Sequence, residues 1–283
     1  MESKNPIFYL RRARAEKRPV RWVISRVLWR TGLCRFFVID RGTYKLRFFP
    51  SSLSADYWLN ANERTDEEEF FRTYLRPNDT VVDVGANVGA LSLAASRAVG
   101  ESGRVFAIEP HPAVFAYLFA NIKLNGSRNI TSLNTALADK PGQICFSDLR
   151  NDDCNRIVAE SGLIVPVATL NLLLSLEPSR VALLKVDVEG YEKFVFDGAS
   201  DVLSRTDCVY FEVWETLCSK YGYTSTELLE QLRSHGFELL RLASKGTVNL
   251  IPRNFSATDC VNLIAVRDVD AFCKRCGFQL VEV

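Results

Sequence analysis

The stretch TVVDVGANVGALSLAAS, residues 80–96, constrains this chain more than any other. Its apolar start fits a buried strand, and the run after Gly89 fits a helix, so the chain turns from strand to helix through a corner holding Gly85 and Gly89. Glycine at such a corner accepts positive φ and lets backbone approach a partner closely. The first turn of the helix presents unpaired N–H groups, which makes a nucleotide-like ligand the first expectation.

The segments that follow repeat the alternation. RVFAIE (104–109), ITSLN (130–134), VALLKVDVEG (181–190) and CVYFEVWE (208–215) read as strands, with helices to Val99, over 112–125 and 191–205, and over 225–235 before Gly236. QICFSD and LIVPVATL are weaker strand candidates around a polar loop, 147–162, and FELLRLA and CVNLIAV should pair antiparallel at the sheet edge. Short strands alternating with helices imply a doubly wound α/β domain with a mostly parallel sheet.

Upstream, residues 35–49 alternate around Asp40-Arg41-Gly42 as a hairpin, and RTDEEEFFRTYL should be a helix capped by Thr65 or Asp66. Residues 1–50 hold 13 basic against 3 acidic residues, leaving 22 against 31 for the remainder, so a net charge of +1 hides +10 beside −9. Val20, Val23, Ile24, Val27 and Leu28 fall at helical spacing among Arg21, Arg26 and Arg30, which makes 19–33 a basic amphipathic helix. Residues 1–35 are therefore expected to meet an anionic membrane surface or to dock on the domain itself. No stretch has the roughly 18 apolar residues of a membrane span. Eight scattered cysteines in a chain of 283 residues read as reduced thiols and a cytoplasmic protein, peripheral to the membrane at most. Cys273 and Cys276 form a lone CxxC, the histidines are His111 and His235, and no metal is expected.

The corner departs from the dinucleotide-binding pattern. Asp83, two residues before Gly85, would repel a pyrophosphate but suits the ammonium and sulfonium of S-adenosylmethionine. Glu109 ends the second strand 20 residues beyond Gly89, where a carboxylate can accept both ribose hydroxyls. Ala136 in NTALAD should reach the adenine edge. LLKVDVEGYE gathers Asp187, Glu189 and Glu192 at one strand end, a concentration of charge that a core does not tolerate idly.

In this order and spacing, VVDVGANVG, IEPHP, ALAD, LLKVDVEGYE and FEV resemble the FkbM family of S-adenosylmethionine-dependent methyltransferases over roughly residues 45–240. The resemblance implies the Rossmann-like class I methyltransferase fold, a seven-stranded sheet with its last strand antiparallel. It also implies O-methylation of a sugar, glycolipid or other secondary-metabolite hydroxyl. Carried over, Asp83, Gly85, Asn87 and Gly89 form the methionine-side loop, Glu109 holds the ribose and Asp187 faces the reacting centre. The general base is expected among Asp187, Glu189, Glu212 and His111, with Asp187 preferred, Glu189 and Glu192 also serving a helix start, and Glu212 either lining the acceptor side or pairing with Lys185. The expected organisation is a basic extension, 1–50, a methyltransferase domain, 51–267, and a tail, 268–283. Motifs for base methylation are missing, so nucleic acid is a disfavoured partner. A nucleotide-dependent oxidoreductase and a non-catalytic cofactor-binding module stand as rival readings.

Overall fold

The computed structural model describes residues 18–149, 154–177, 179–244 and 246–281. The first 17 residues of the basic arm and part of the 147–162 loop lie outside the described residues. The chain opens with α1 (Pro19–Thr31), the hairpin β1 (Val38–Asp40) and β2 (Lys45–Arg47), α2 (Ser52–Leu59) and α3 (Thr65–Tyr74). The alternating region follows: β3 (Thr80–Val84), α4 (Ala90–Val99), β4 (Arg104–Ile108), α5 (Pro112–Asn125), β5 (Ile130–Leu133), then β6 (Ala136–Leu137), β7 (Gly142–Phe146) and β8 (Leu163–Ala168). Next come α6 (Leu170–Leu173), β9 (Val181–Val186), α7 (Glu192–Asp197), α8 (Ser200–Ser204), β10 (Thr206–Val213), α9 (Glu215–Cys218) and α10 (Ser225–Ser234). The chain closes with β11 (Glu238–Ser244), β12 (Thr247–Leu250), β13 (Val261–Val266), α11 (Val269–Cys276) and β14 (Gln279–Leu280).

Every residue of β3 and β9 is buried, which is why their sequences are unbroken apolar runs and why they lie at the middle of the sheet. Successive side chains alternate between two cores: Val82, Leu184 and Phe211 pack with Phe196 and Leu228 on one face, while Val81, Leu183 and Tyr210 pack with Phe70, Phe71 and Phe272 on the other. The strand order is β5-β4-β3-β9-β10-β13-β11-β12-β14. β13 runs antiparallel to both β10 and β11, so the first seven strands in that order reproduce the expected sheet. Two differences follow. β12 and β14 extend the sheet to nine strands, so β11 and β13 are not its edge; both added strands are short segments among polar residues, too weak in pattern to announce themselves. From β3 the chain winds one way to β4 and β5, then returns to β9 and winds the other way to β10. The switch point therefore opens at the carboxyl ends of β3 and β9, where a doubly wound sheet binds ligands.

The weaker strand candidates form a separate three-stranded sheet, β6-β8-β7, beside the main one. The predicted helix over 191–205 breaks into α7 and α8 around Gly198, whose N–H closes the first segment on Phe194. The hairpin is shorter than its alternation suggests, since residues 33–36 form a 3-10 turn. α3 is not capped by Thr65 or Asp66: its N-cap is Arg64 at φ 51, and Thr65 donates instead to Asn62. α5 runs as predicted from Pro112 to Asn125 with Gly126 as its C-cap, and α10 is capped by His235 before Gly236, with Thr224 and Glu227 forming a reciprocal capping box at its start.

The described part of the extension shares a core with the main body, where Tyr44, Leu46, Phe48 and Tyr57 meet Val88 and Leu93 of the α4 region. α1 buries Trp22 and Ser25, and its Leu28 and Trp29 pack against this core. Its opposite side leaves Val20, Val23, Ile24 and Val27 exposed, so four of the five residues at helical spacing point away from the domain. At the other end, Phe278 and the partly buried Cys273 and Cys276 pack beside Phe272. The eight cysteines, all among the described residues, form no disulfide with one another.

Candidate active site

The two corner glycines are demanded first by protein atoms. Gly85 sits at φ 75, and a Cβ there would come within 1.9 Å of the carbonyl oxygen of Asp187. At Gly89, φ 88, a Cβ would lie 2.5 Å from Leu118 Cδ1. The corner is thus pressed against the end of β9 and the middle of α5. Asn87, at φ 47, donates its N–H to Glu109 Oε2 at 2.9 Å, and the N–H of His111 donates to Glu109 Oε1 at 2.9 Å. These contacts orient the Glu109 carboxylate at the wall of a cleft.

That cleft brings together Asp83, Gly85, Asn87, Glu109, Ala136, Asp187 and Glu189. Glu109, Ala136 and Phe146 line it together with Arg64, Lys185 and Asp187, and the two cations meet at the Asp187 carboxylate. Gly89 stands behind the wall as the N-cap of α4. His111 also stands behind it: its ring caps α5 and reaches Asp148 at 3.2 Å, so it is separated from the other candidate bases by its role in the helix start.

Asp83 is fully buried and does not offer the cleft an uncompensated charge. Its Oδ2 accepts from the Ser92 hydroxyl, and its Oδ1 lies 3.3 Å from Lys185 Nζ. That ion pair lacks hydrogen-bond geometry, because the ammonium donates to the carbonyls of Val84 at 3.2 Å and Gly85 at 2.8 Å. Lys185 also pairs with Asp187 at 3.5 Å. Burial alone would push the lysine down, but Asp83 and then Asp187 outweigh it and hold the ammonium above its ordinary 10.5. A lysine inside VALLKVDV is the visible anomaly of that strand. Its ion-pair partners are Asp83 and Asp187 and not Glu212, for which this pairing is one of two expected roles, because β9 pairs with β3 so that Asp83 lies opposite Lys185.

Beyond β9 the chain makes a tight turn, with Glu189 at φ 58 and Gly190 at φ 96. Glu192 closes it, accepting the N–H groups of Val188 at 3.0 Å and Gly190 at 3.2 Å. Burial pushes the Glu192 carboxyl up to about 8, so this acid is structural and the turn is what it holds.

A second cleft adjoins the first, sharing Arg64 and Asp187 and adding Asn62, Glu67, Glu212 and Asn262. Carboxylate oxygens of Asp187, Glu189 and Glu212 all lie within 4.8 Å of one another, and Arg64 and Lys185 supply the countercharge at Asp187. The two acids of this junction differ in proton affinity. Burial would raise Asp187, but Lys185 and then Arg64 hold it below its ordinary value of 3.8. Burial, reinforced by Asp187, pushes Glu212 up to about 7. Glu212 accepts from the Cys260 thiol at 3.0 Å.

Arg64 and Tyr57 both line the first cleft, and neither is among the residues that the sequence nominates. Arg64 opens the RTDEEEFFRTYL segment and Tyr57 lies in α2, and the folding of α2 and α3 over the corner brings them there.

A family model described as Methyltransferase FkbM domain matches residues 83–239. Among solved structures, the chain is similar to a precorrin-6y C5,15-methyltransferase from Geobacter metallireducens GS-15, with 15% identity, 70% of this chain and 86% of that chain covered, and a TM-score of 0.42. It is similar to a SAM dependent methyltransferase from Aquifex aeolicus at 15% identity, covering 78% of this chain and 100% of that one with a TM-score of 0.45. A methyltransferase FkbM from Methylobacillus flagellatus KT is 17% identical, with 76% of this chain and 54% of that chain covered and a TM-score of 0.43. Curated protein sequences give no match.

Proposed function

The chain belongs to the FkbM methyltransferase family, with S-adenosylmethionine as its methyl donor, and from that premise we propose that it methylates a hydroxyl of a sugar, glycolipid or other secondary metabolite. Residues 51–267 carry the reaction in this reading. The observation that supports a hydroxyl acceptor is the second cleft, whose Asn62, Glu67, Glu212 and Asn262 are rich in hydrogen-bond acceptors and in negative charge. Such a wall suits a polyol and opposes a phosphate backbone.

The residues present fit the donor. Glu109 is oriented for the ribose hydroxyls, Ala136 flanks the adenine end, and Gly85 and Asn87 form the floor below the methionine end. When bound, the donor supplies a sulfonium methyl that an acceptor oxygen displaces in line. Asp187, kept ionised by Lys185 and Arg64, places negative charge beside the cationic centre. Glu212 is the base we favour over Asp187, since a carboxyl near 7 can take the hydroxyl proton at neutral pH and one held below 3.8 is a weak acceptor. Glu189 completes the junction.

Incubation with methyl-labelled donor and sugar, glycolipid and RNA fractions tests the reaction. A labelled methyl ether is expected, and label on carbon, nitrogen or RNA would overturn the hydroxyl assignment. Glu109→Ala should weaken donor binding in calorimetry by about tenfold or more, because hydrogen bonds to a charged group are worth roughly 1.5–3 kcal/mol; an unchanged affinity would remove Glu109 from the ribose site.

We also propose that the outer face of α1 rests on an anionic, cytoplasmic membrane surface. Val20, Val23, Ile24 and Val27 form an exposed apolar stripe, continued by Phe36, in the segment that carries the chain's basic excess. No described helix is long and apolar enough to cross a membrane. In flotation with phosphatidylserine-containing vesicles, the full chain should bind, and the Val23→Asp/Val27→Asp variant should bind about tenfold more weakly or worse. Equal flotation of the two would refute the contact.

A further inference from the structure

Two polar groups on the donor cleft come from outside the matched family region: the Tyr57 hydroxyl and the Arg64 guanidinium. Tyr57 of α2 is 1% exposed, lines the cleft, and its hydroxyl has no hydrogen-bond partner among the described residues. An orphaned buried hydroxyl costs stability unless something accepts from it. Its ring is held from behind: the Arg41 guanidinium lies 4.9 Å over the ring centroid and is itself bonded to Glu68 at 2.7 Å. Arg64 stands beside it at the start of α3, in a left-handed conformation at φ 51 that no side-chain cap enforces. Its guanidinium approaches Glu67 at 3.5 Å and Asp187 at 3.6 Å, both beyond good hydrogen-bond length.

Both groups are donors on the wall of the same cleft, and Arg64 approaches Asp187 there. A fork of N–H groups with an adjacent O–H is complementary to a planar carboxylate. The surrounding charges narrow the choice. A purely anionic group would face Asp187 and Glu67, and a purely cationic one would face Arg64 and Lys185. An amino-acid zwitterion satisfies both sets. We propose that Tyr57 and Arg64 clamp the α-carboxylate of the donor's methionine moiety. This rests on the methyltransferase reading and adds to it a binding element built by α2 and α3, ahead of the glycine corner. It also accounts for the left-handed start of α3, which turns Arg64 into the cleft instead of letting Thr65 or Asp66 cap the helix.

The test is a cycle of binding measurements on the full chain, using S-adenosylmethionine and its decarboxylated analogue with wild type, Tyr57→Phe and Arg64→Gln. The wild type should prefer the intact donor by about tenfold or more, and each variant should bring the ratio toward one while binding the decarboxylated compound nearly as before. A ratio that stays at its wild-type value in both variants overturns the clamp, as does equal wild-type affinity for the two compounds. Binding of neither compound by the wild type would instead overturn the methyltransferase reading and the clamp with it. Should Arg64→Gln fail to fold, Tyr57→Phe, which removes one oxygen, carries the same comparison.

Discussion

Replacing Lys185 by methionine is expected to lower the unfolding free energy by about 3–5 kcal/mol, the usual loss when one partner of a buried ion pair is removed. The side chain is 1% exposed, Asp83 is 0% exposed, and Asp187 shares the same ammonium. Methionine fills similar volume but leaves two acids facing one another without their countercharge. It also removes the donors to Val84 and Gly85, so the corner loses a tie to β9 at the point where Gly85 meets the Asp187 carbonyl.

The pH dependence has a definite sign. Asp187 is held below 3.8, so its contribution to stability is complete above that value and fades as pH falls through the folded one; Lys185 is held above 10.5, so its share is complete below that value and fades as pH rises through the folded one. The deficit of Lys185→Met should therefore be full at pH 7 and smaller at pH 3. Urea unfolding at both values checks this, and adding Asp83→Asn should restore part of the loss, since the two positions share one interaction. A deficit below about 1 kcal/mol at pH 7 would mean that the cluster is better solvated than its burial indicates.

Much of this arrangement is legible in the order of the amino acids. β3, β4, β9 and β10 lie inside the sheet, and strands covered on both faces write themselves as apolar runs. α5 is bounded by its own residues, Pro112 at one end and Gly126 at the other. Asp83, Glu109 and Asp187 fall at strand ends, and strand ends converge in a doubly wound sheet, so their assembly follows from topology. What the residue order hides is set by distant contact. Gly85 suggests a seat for a ligand, yet its missing Cβ is required by the Asp187 carbonyl, about 100 residues away in sequence. Arg64 and Tyr57 carry no local pattern, and the exchange of Lys185 from Glu212 to Asp83 depends on which strands are neighbours. The expected helix cap fails for a related reason, since Arg64 takes the cap position that Thr65 and Asp66 suit by type.

Glu212→Gln should reduce turnover by about 10²- to 10⁴-fold, the span of general-base catalysis, while leaving donor affinity within about twofold. The glutamine keeps the shape of the side chain at the wall of the second cleft and removes only its capacity to hold a proton. Because the carboxyl is pushed up to about 7, wild-type kcat/KM should rise with pH through that value, as the base ionises, and the rise should vanish from the residual activity of the variant. Stability should move the other way. A carboxyl whose folded value exceeds its unfolded 4.5 stabilises the native state at low pH and withdraws that support as pH climbs toward 7, so Glu212→Gln should gain stability relative to wild type between pH 5 and 8. Asp187→Asn is the discriminating partner. Its carboxylate is already committed to Lys185 and Arg64, so its loss should fall on donor affinity and folding as well as on turnover. If instead Asp187→Asn abolishes the rise near pH 7 and Glu212→Gln preserves it, the proton leaves through Asp187, and Glu212 serves only to raise the negative potential of the acceptor wall.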